Sequence, residues 1–286
     1  MIIIFHRLLN FLDSIYISFL NSKFKTFTTL IYLPCLFIFS FILTQPLRIL
    51  KLDNNQLLII SEIITFVLFL VLIPKWFRSR WGIRKTWKLI GLKIKSKKGS
   101  PIMNLFKGFS YSFLLITLLI LPILINGWYE WQGKISVFII LNALLISFIY
   151  GLGEEILFRG WLQEELKFLF GLKLAVIIQA LIFSLVHGIY SLELSLGLFI
   201  LGILLSIRRL NDDGSIWGSV GLHGGLVGLW FIVNNIIVIN GNSPSWLIGM
   251  DKTNINPIGG FYNIVLMILL IINFSTYNFQ TLNHKK

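Results

Sequence analysis

Long apolar runs separated by short polar connections leave this chain few ways to fold. A helix needs about 18 or more apolar residues to cross a bilayer core of about 30 Å. Reading for such runs marks eight segments, near 27–46, 56–74, 104–125, 135–153, 174–188, 194–207, 217–239 and 258–274. The fifth and sixth are short, and a re-entrant pair there would lower the count to seven or six; eight is the reading adopted. With 56% hydrophobic residues, 13% charged residues and a mean hydropathy of +0.83, the chain is far more apolar than a soluble domain. In hydrocarbon each backbone amide must be satisfied within its own segment, which favours helices. The expected fold is an all-α integral membrane protein, a polytopic bundle of about eight transmembrane helices.

A formal charge of +13 would suggest a nucleic-acid partner in a soluble protein, but its distribution argues for membrane topology instead. Between Pro74 and Lys107 there are 11 Lys or Arg and no acid. With the amino terminus inside, cytoplasmic segments collect 21 bases against 4 outside, the latter being Arg48, Lys51, Lys134 and Lys252. The positive-inside rule then predicts an even number of spans and both termini in the cytoplasm. The stretch 76–101 reads as a basic surface element anchored by Trp76, Trp81 and Trp87 among Arg78, Arg80, Arg84, Lys85 and Lys88. Such an element would hold anionic lipids along the loop 75–101. A solvated loop that only enforces topology is the alternative, and nothing in it suggests base readout or a nucleic-acid partner.

At the amino terminus Ile4, Leu8, Leu12, Ile15 and Phe19 recur at helical spacing opposite Asn10, Asp13, Ser14 and Ser18, an amphipathic interfacial pattern over 1–26. Arg7 and Asp13 interrupt the apolar run, which argues against a cleaved signal peptide. The single cysteine, Cys35, supplies neither a disulfide framework nor a thiolate metal site. The expected organisation is that segment, then helices 1–3 over 27–134 with the basic loop, then a helical region over 135–277, then a cytoplasmic tail at 278–286.

Ionisable groups placed in or beside apolar segments cost several kcal/mol, roughly 2.5 to 3.5 for Asp or a base at a helix centre, and are functional candidates by default. Five stand out: Glu154, Glu155, Arg159, His187 and His223. On a helix Glu155 and Arg159 share a face and can neutralise one another, while Glu154 turns about 100° away and needs a partner from another helix. The midpoint between Glu154 and His187 falls beside Gly171, which suits a turn. An antiparallel hairpin there would set those two side chains at one level, with Gln163, Glu164, Glu165 and Lys167 projecting into the cytoplasm. His223 falls roughly 9 to 12 Å into the seventh segment at about 1.5 Å per residue. Around it Gly218, Gly221, Gly224, Gly225 and Gly228 read as close helix packing rather than chemistry.

A glutamate beside two imidazoles can take a proton from water and direct the hydroxide at a carbonyl. H-E-x-x-H, G-x-S-x-G and paired intramembrane aspartates are all missing from the sequence. Glu154-Glu155-x-x-x-Arg159-Gly160, then Phe183-x-x-x-His187, then His223 in a glycine-rich span resembles the CAAX prenyl protease 2 and bacteriocin-processing (CPBP, or Abi) family of intramembrane proteases. The resemblance covers about residues 135–240 and implies an intramembrane endopeptidase acting on membrane-associated proteins or peptides. By it, Glu154 and His187 would activate water, Glu155 and Arg159 would support them, and His223 would be a second site histidine. Prenylated carboxy-terminal substrates are implied for some members, and peptide processing or immunity for others. A divalent metal such as zinc on Glu154, His187 and His223 is compatible with that set but not required by it. The chain departs from the pattern at Val227, where many members carry Asn. That departure favours the alternative of a non-catalytic scaffold or regulator. A proton-coupled transporter is a further alternative, but the symmetric broken helices it would need are missing.

Overall fold

The computed structural model describes residues 24–92, 99–187, 191–240, 242–249 and 256–283, with side chains as far as 275. The amphipathic segment read over 1–26 thus lies outside the described residues except at its last three positions. The chain divides into two compact units, Met1–Leu89 and Ile90–Lys286.

The first unit is a hairpin of α1 (Lys25–Thr44) and α2 (Asn54–Trp81), joined through a 3-10 turn at Gln45–Leu50. The start of α2 is set by a capping box: Asp53 accepts from the Gln56 amide at 2.8 Å, and the Gln56 side chain accepts from the Asp53 amide at 3.0 Å. Near the loop the Thr44 and Ser61 hydroxyls bond across the helices at 2.8 Å. At the open end Arg80 turns inward, donating to Thr28 Oγ1 at 2.7 Å, the Lys25 carbonyl at 2.9 Å and Thr29 Oγ1 at 3.1 Å. Its guanidinium lies 4.4 Å from the Trp76 ring, and both residues are buried. This corrects the reading of 76–101 as a surface element throughout. Trp76 and Arg80 belong to the core of the hairpin because α2 continues to Trp81 and carries them on its inner face. Arg78, Arg84, Lys85, Trp87 and Lys88 are the exposed remainder.

The second unit holds α3 (Pro101–Ile125), α4 (Val137–Glu154), α5 (Gln163–Phe170), α6 (Leu172–Val186), α7 (Leu192–Asn211), α8 (Trp217–Ile236) and α9 (Phe261–Asn283). Helix α3 therefore groups with the later helices rather than with the first two. Helix α8 packs against both α3 and α4, and its glycines make this approach feasible. A Cβ at Gly221 would collide with the Leu105 carbonyl of α3, and one at Gly224 with the Ser147 carbonyl of α4. The beyond-helix ends of α3 and α8 are tied by a two-stranded antiparallel sheet of β1 (Tyr129–Trp131) and β2 (Ile237–Ile239), pairing Tyr129 with Ile239. Three-residue strands are too short to show a period in sequence, so the all-α reading missed them.

Each of the eight apolar segments coincides with one of the long helices. Among the described residues, five stretches are long and apolar enough to cross a membrane: Lys25–Leu50, Asn54–Trp81, Pro101–Ile125, Val137–Phe170 and Trp217–Ile236. Leu172–Val186 and Phe261–Ser275 are shorter apolar helices. Helix α7 is amphipathic, burying Arg208, Arg209 and Asn211. The outer face of α4, with Phe138, Leu141, Leu144, Leu145 and Phe148, is exposed apolar surface of the kind a membrane protein turns to lipid. Helix α9 runs on to Asn283, into the stretch read as a tail.

Candidate active site

The site forms where a continuous helical stretch, Val137–Phe170, changes its winding. Helix α4 ends at Glu154, and Glu155–Leu162 is a π-helical turn before α5 resumes the α pitch. Such insertions add a residue to a turn and recur at functional sites. Glu155, Arg159, Gly160 and Trp161 are all buried along this segment. Gly171, at φ +81, then reverses the chain into α6, as a backbone conformation that favours glycine.

The reversal brings His187, at the end of α6, opposite Glu154. His187 Nε2 lies 3.4 Å from Glu154 Oε2, and His223 Nε2 of α8 lies 3.8 Å from the same oxygen. His187 Nδ1 is 2.7 Å from the Phe183 carbonyl, which can only accept. The ring therefore carries a proton on Nδ1 and turns Nε2 toward Glu154. Glu154 Oε2 is buried and has no hydrogen bond within the protein, so it remains an open acceptor between the two imidazoles.

Glu155 faces the other way, into the bundle. Its Oε1 receives Arg159 Nη1 at 2.9 Å and stands 3.0 Å from His223 Nδ1. An ionised carboxylate can only accept, so His223 presents Nδ1–H to Glu155 and Nε2 to Glu154. The expected Glu155–Arg159 pair is thus present, and it also orients the second histidine. The Phe183 ring packs among these groups, with the Arg159 guanidinium 4.4 Å, the His187 ring 4.4 Å and the His223 ring 5.8 Å from its centre. All five residues picked out in the sequence converge here.

A layer of polar groups lies below the site. Arg209 donates to the Arg159 carbonyl, pairs with Glu164 Oε1 at 2.9 Å, and donates to the Gly214 carbonyl at 3.2 Å. Gln179 donates to Ser206 Oγ at 2.6 Å and to the Gly202 carbonyl at 3.1 Å, where Arg159 Nη2 also arrives at 3.5 Å. Gln163, Glu164 and Glu165 are buried among neighbouring helices in this region, while Lys167 is exposed. Arg209 satisfies Glu164 there, and their polarity faces inward. Arg209 and Gln179 were missed as site-supporting residues. A glutamine in the middle of the apolar run Leu172–Val186 was the signal available for the latter.

Above the histidines lies a cavity of about 260 Å³, walled by apolar side chains of α3, α7 and α8 including Leu119, Leu198, Leu201 and Leu226. Val227, one turn beyond His223, forms part of the same wall. Zinc would hold nitrogen and oxygen ligands at about 2.0 to 2.2 Å. Among the described residues no group of three or more His, Cys, Asp or Glu is arranged to hold a metal ion.

Two protein-family models match the chain. Residues 15–85, within the first unit, match a domain of unknown function, DUF8676. Residues 135–229, which include Glu154, Glu155, Arg159, His187 and His223, match the family described as Type II CAAX prenyl endopeptidase Rce1-like. No curated protein and no solved structure gives a significant match. The matched segment spans the π-helical turn, both histidines and most of the glycine-rich α8, and it supports a likeness of this region to the CAAX prenyl protease and bacteriocin-processing (CPBP) family.

Proposed function

We propose that this chain is an intramembrane endopeptidase that hydrolyses peptide bonds of membrane-associated substrates with water activated by Glu154. The family match supports peptidase activity of the CAAX-protease type. The observation that carries the mechanism is the position of Glu154 Oε2, buried without a hydrogen bond and facing both imidazole Nε2 atoms at 3.4 and 3.8 Å. A water between Glu154 and His187 would donate to the carboxylate and to the lone pair on Nε2. Glu154 takes one proton while the water oxygen attacks the peptide carbonyl carbon. As the tetrahedral intermediate collapses and the C–N bond breaks, Glu154 returns that proton to the departing amine. His223, oriented by Glu155, faces Glu154 from the other side.

Membrane proteins or peptides, including those with a prenylated carboxy terminus, are the substrate class. The apolar cavity beside His187 and His223 supports it, because it accepts hydrocarbon and excludes bulk water. The distribution of bases supports a site opening toward the cytoplasm, with both termini on that side. The donor set Glu154, His187 and His223 leaves zinc to be tested by chelation; the mechanism above predicts full turnover after dialysis against a chelator.

The deciding experiment incubates the purified chain in detergent with a panel of prenylated and leader-bearing peptides and reads cleavage by mass spectrometry. Cleavage that disappears in Glu154→Gln supports the peptidase. A wild-type chain that cleaves none of the panel, combined with sharply lower melting temperatures for Glu154→Gln and His187→Ala, would make the cluster the polar core of a scaffold. Val227, apolar on the cavity wall, is the feature that favours this second reading.

A further inference from the structure

The tetrahedral intermediate of peptide hydrolysis carries a negative oxygen that needs hydrogen-bond donors. Around the site few donors are free to serve. His187 Nδ1 is committed to the Phe183 carbonyl and His223 Nδ1 to Glu155, and both Nε2 atoms face Glu154. Arg159 is fully buried and bound to Glu155 and the Gly202 carbonyl. Val227 offers only methyl groups. Besides the two histidines, the hydrogen-bonding side chains on the cavity wall are Asn256, Asn263 and Trp230, whose indole N–H lies two turns beyond His223 on α8.

Their situations differ. Asn256 is spent on local structure, its Oδ1 accepting from the Ile258 amide at 3.2 Å to cap the 3-10 turn Pro257–Gly259. Asn263, in the first turn of α9, is 8% exposed. It lines the cavity, and its carboxamide makes no hydrogen bond to any described residue. A carboxamide without a partner on an otherwise largely apolar wall calls for a reason.

Helix α9 and the turn before it pack closely on α7. Gly197 of α7 comes so close to the Ile258 carbonyl that no Cβ fits between them, and Gly259 packs in the same way on Leu194. Further along, the Arg208 guanidinium lies 5.1 Å from the Phe274 ring centre. Asn263 precedes Phe274 by as many residues as Gly197 precedes Arg208, so α7 and α9 run side by side in the same direction. Asn263 follows Ile258 by five residues and shares the cavity wall with Leu198 and Leu201 of α7.

We infer that Asn263 is the oxyanion donor of this site, its Nδ2–H binding the carbonyl oxygen of the scissile peptide as charge develops there. The inference rests on the peptidase reading. It places the reacting carbonyl between Glu154 and α9, with the chain of the substrate lying in the apolar cavity. Asn263 acts on the transition state, so its loss should lower kcat and leave KM nearly unchanged.

The test uses the full chain in detergent, an internally quenched farnesylated peptide, and the matching peptide aldehyde, whose hydrate imitates the intermediate. Asn263→Ala should lower kcat by about 10² to 10³ and weaken the aldehyde by a similar factor while KM stays within about twofold. Asn256→Ala, read alongside, should lower melting temperature more than kcat. To separate lost chemistry from lost folding, Val227→Asn is added to Asn263→Ala, since it supplies an amide to the same cavity, and partial return of kcat is expected. Full kcat in Asn263→Ala, with cleavage abolished in Glu154→Gln, would overturn the assignment and leave the peptidase standing. Equal loss of substrate and aldehyde binding, without rescue by Val227→Asn, would also overturn it by making Asn263 structural. A wild-type chain inactive on the peptide would remove both readings together.

Discussion

Glu155 Oε1 binds two groups at once, Arg159 Nη1 at 2.9 Å and His223 Nδ1 at 3.0 Å. One buried carboxylate therefore neutralises the guanidinium and sets the tautomer of a histidine that faces Glu154. Neither function can be removed without disturbing the other.

Glu155→Gln should accordingly show two defects. Breaking a buried ion pair by removing one partner costs about 3 to 5 kcal/mol, so detergent melts should shift strongly downward. Turnover of the folded fraction should also fall, because a neutral amide no longer fixes His223. The double variant Glu155→Gln with Arg159→Met should recover much of the melting temperature without recovering activity. Recovery of both together would assign Glu155 to stability alone.

Glu154→Gln should separate in the opposite sense. Glutamine keeps the size of the side chain and much of its hydrogen bonding but cannot take a proton from water. Turnover should fall by about 10² to 10⁴ with a melting temperature near that of the wild type. His187→Ala should match it in activity. Wild-type cleavage by Glu154→Gln would rule out the proposed base.

Gly221→Ala tests the packing of α8 on α3. The added methyl group would meet the Leu105 carbonyl, a backbone atom that cannot rotate away. Destabilisation of about 1 to 3 kcal/mol is expected. Gly127→Ala serves as a comparison, since nothing lies within 4 Å of its Cβ position, although its φ of +67 adds backbone strain of its own. A Gly221→Ala protein that melts like the wild type would mean that the helices part easily there.

The exposed bases Arg78, Arg84, Lys85 and Lys88 should hold their segment on anionic lipid. In nanodiscs, amide hydrogen exchange over 82–92 should be slower in anionic than in neutral bilayers, and added salt should remove the difference. Equal exchange in both bilayers would leave a solvated loop that serves topology only.

Introduced cysteines, in a background with Cys35 replaced, test the orientation. Those at 95–99 and at the carboxy terminus should resist impermeant thiol reagents in intact cells, and those at 241–251 should react. Labelling of 95–99 from outside would reverse the proposed topology.

The membrane character and the position of every long helix were legible in the sequence, because burying apolar surface and satisfying backbone amides are local demands that each segment meets for itself. The convergence of Glu154 with His187 was legible too, since one hairpin turn at Gly171 relates them along the chain. The π-helical winding of Glu155–Leu162 was not, because a single extra residue in a turn leaves no mark on apolar periodicity. Trp76 and Arg80 read as surface residues by composition, yet the inner face of α2 and acceptors on α1 make them core. That Glu164 is buried could not be read from its charge, because the burial depends on Arg209 arriving from α7. Asn263 interrupts the apolar run 258–274 as Gln179 interrupts its own, but only the tertiary structure puts it on the wall of the cavity that His187 and His223 also line. Local physics set the helices; which polar groups meet was decided by packing between residues distant in the chain.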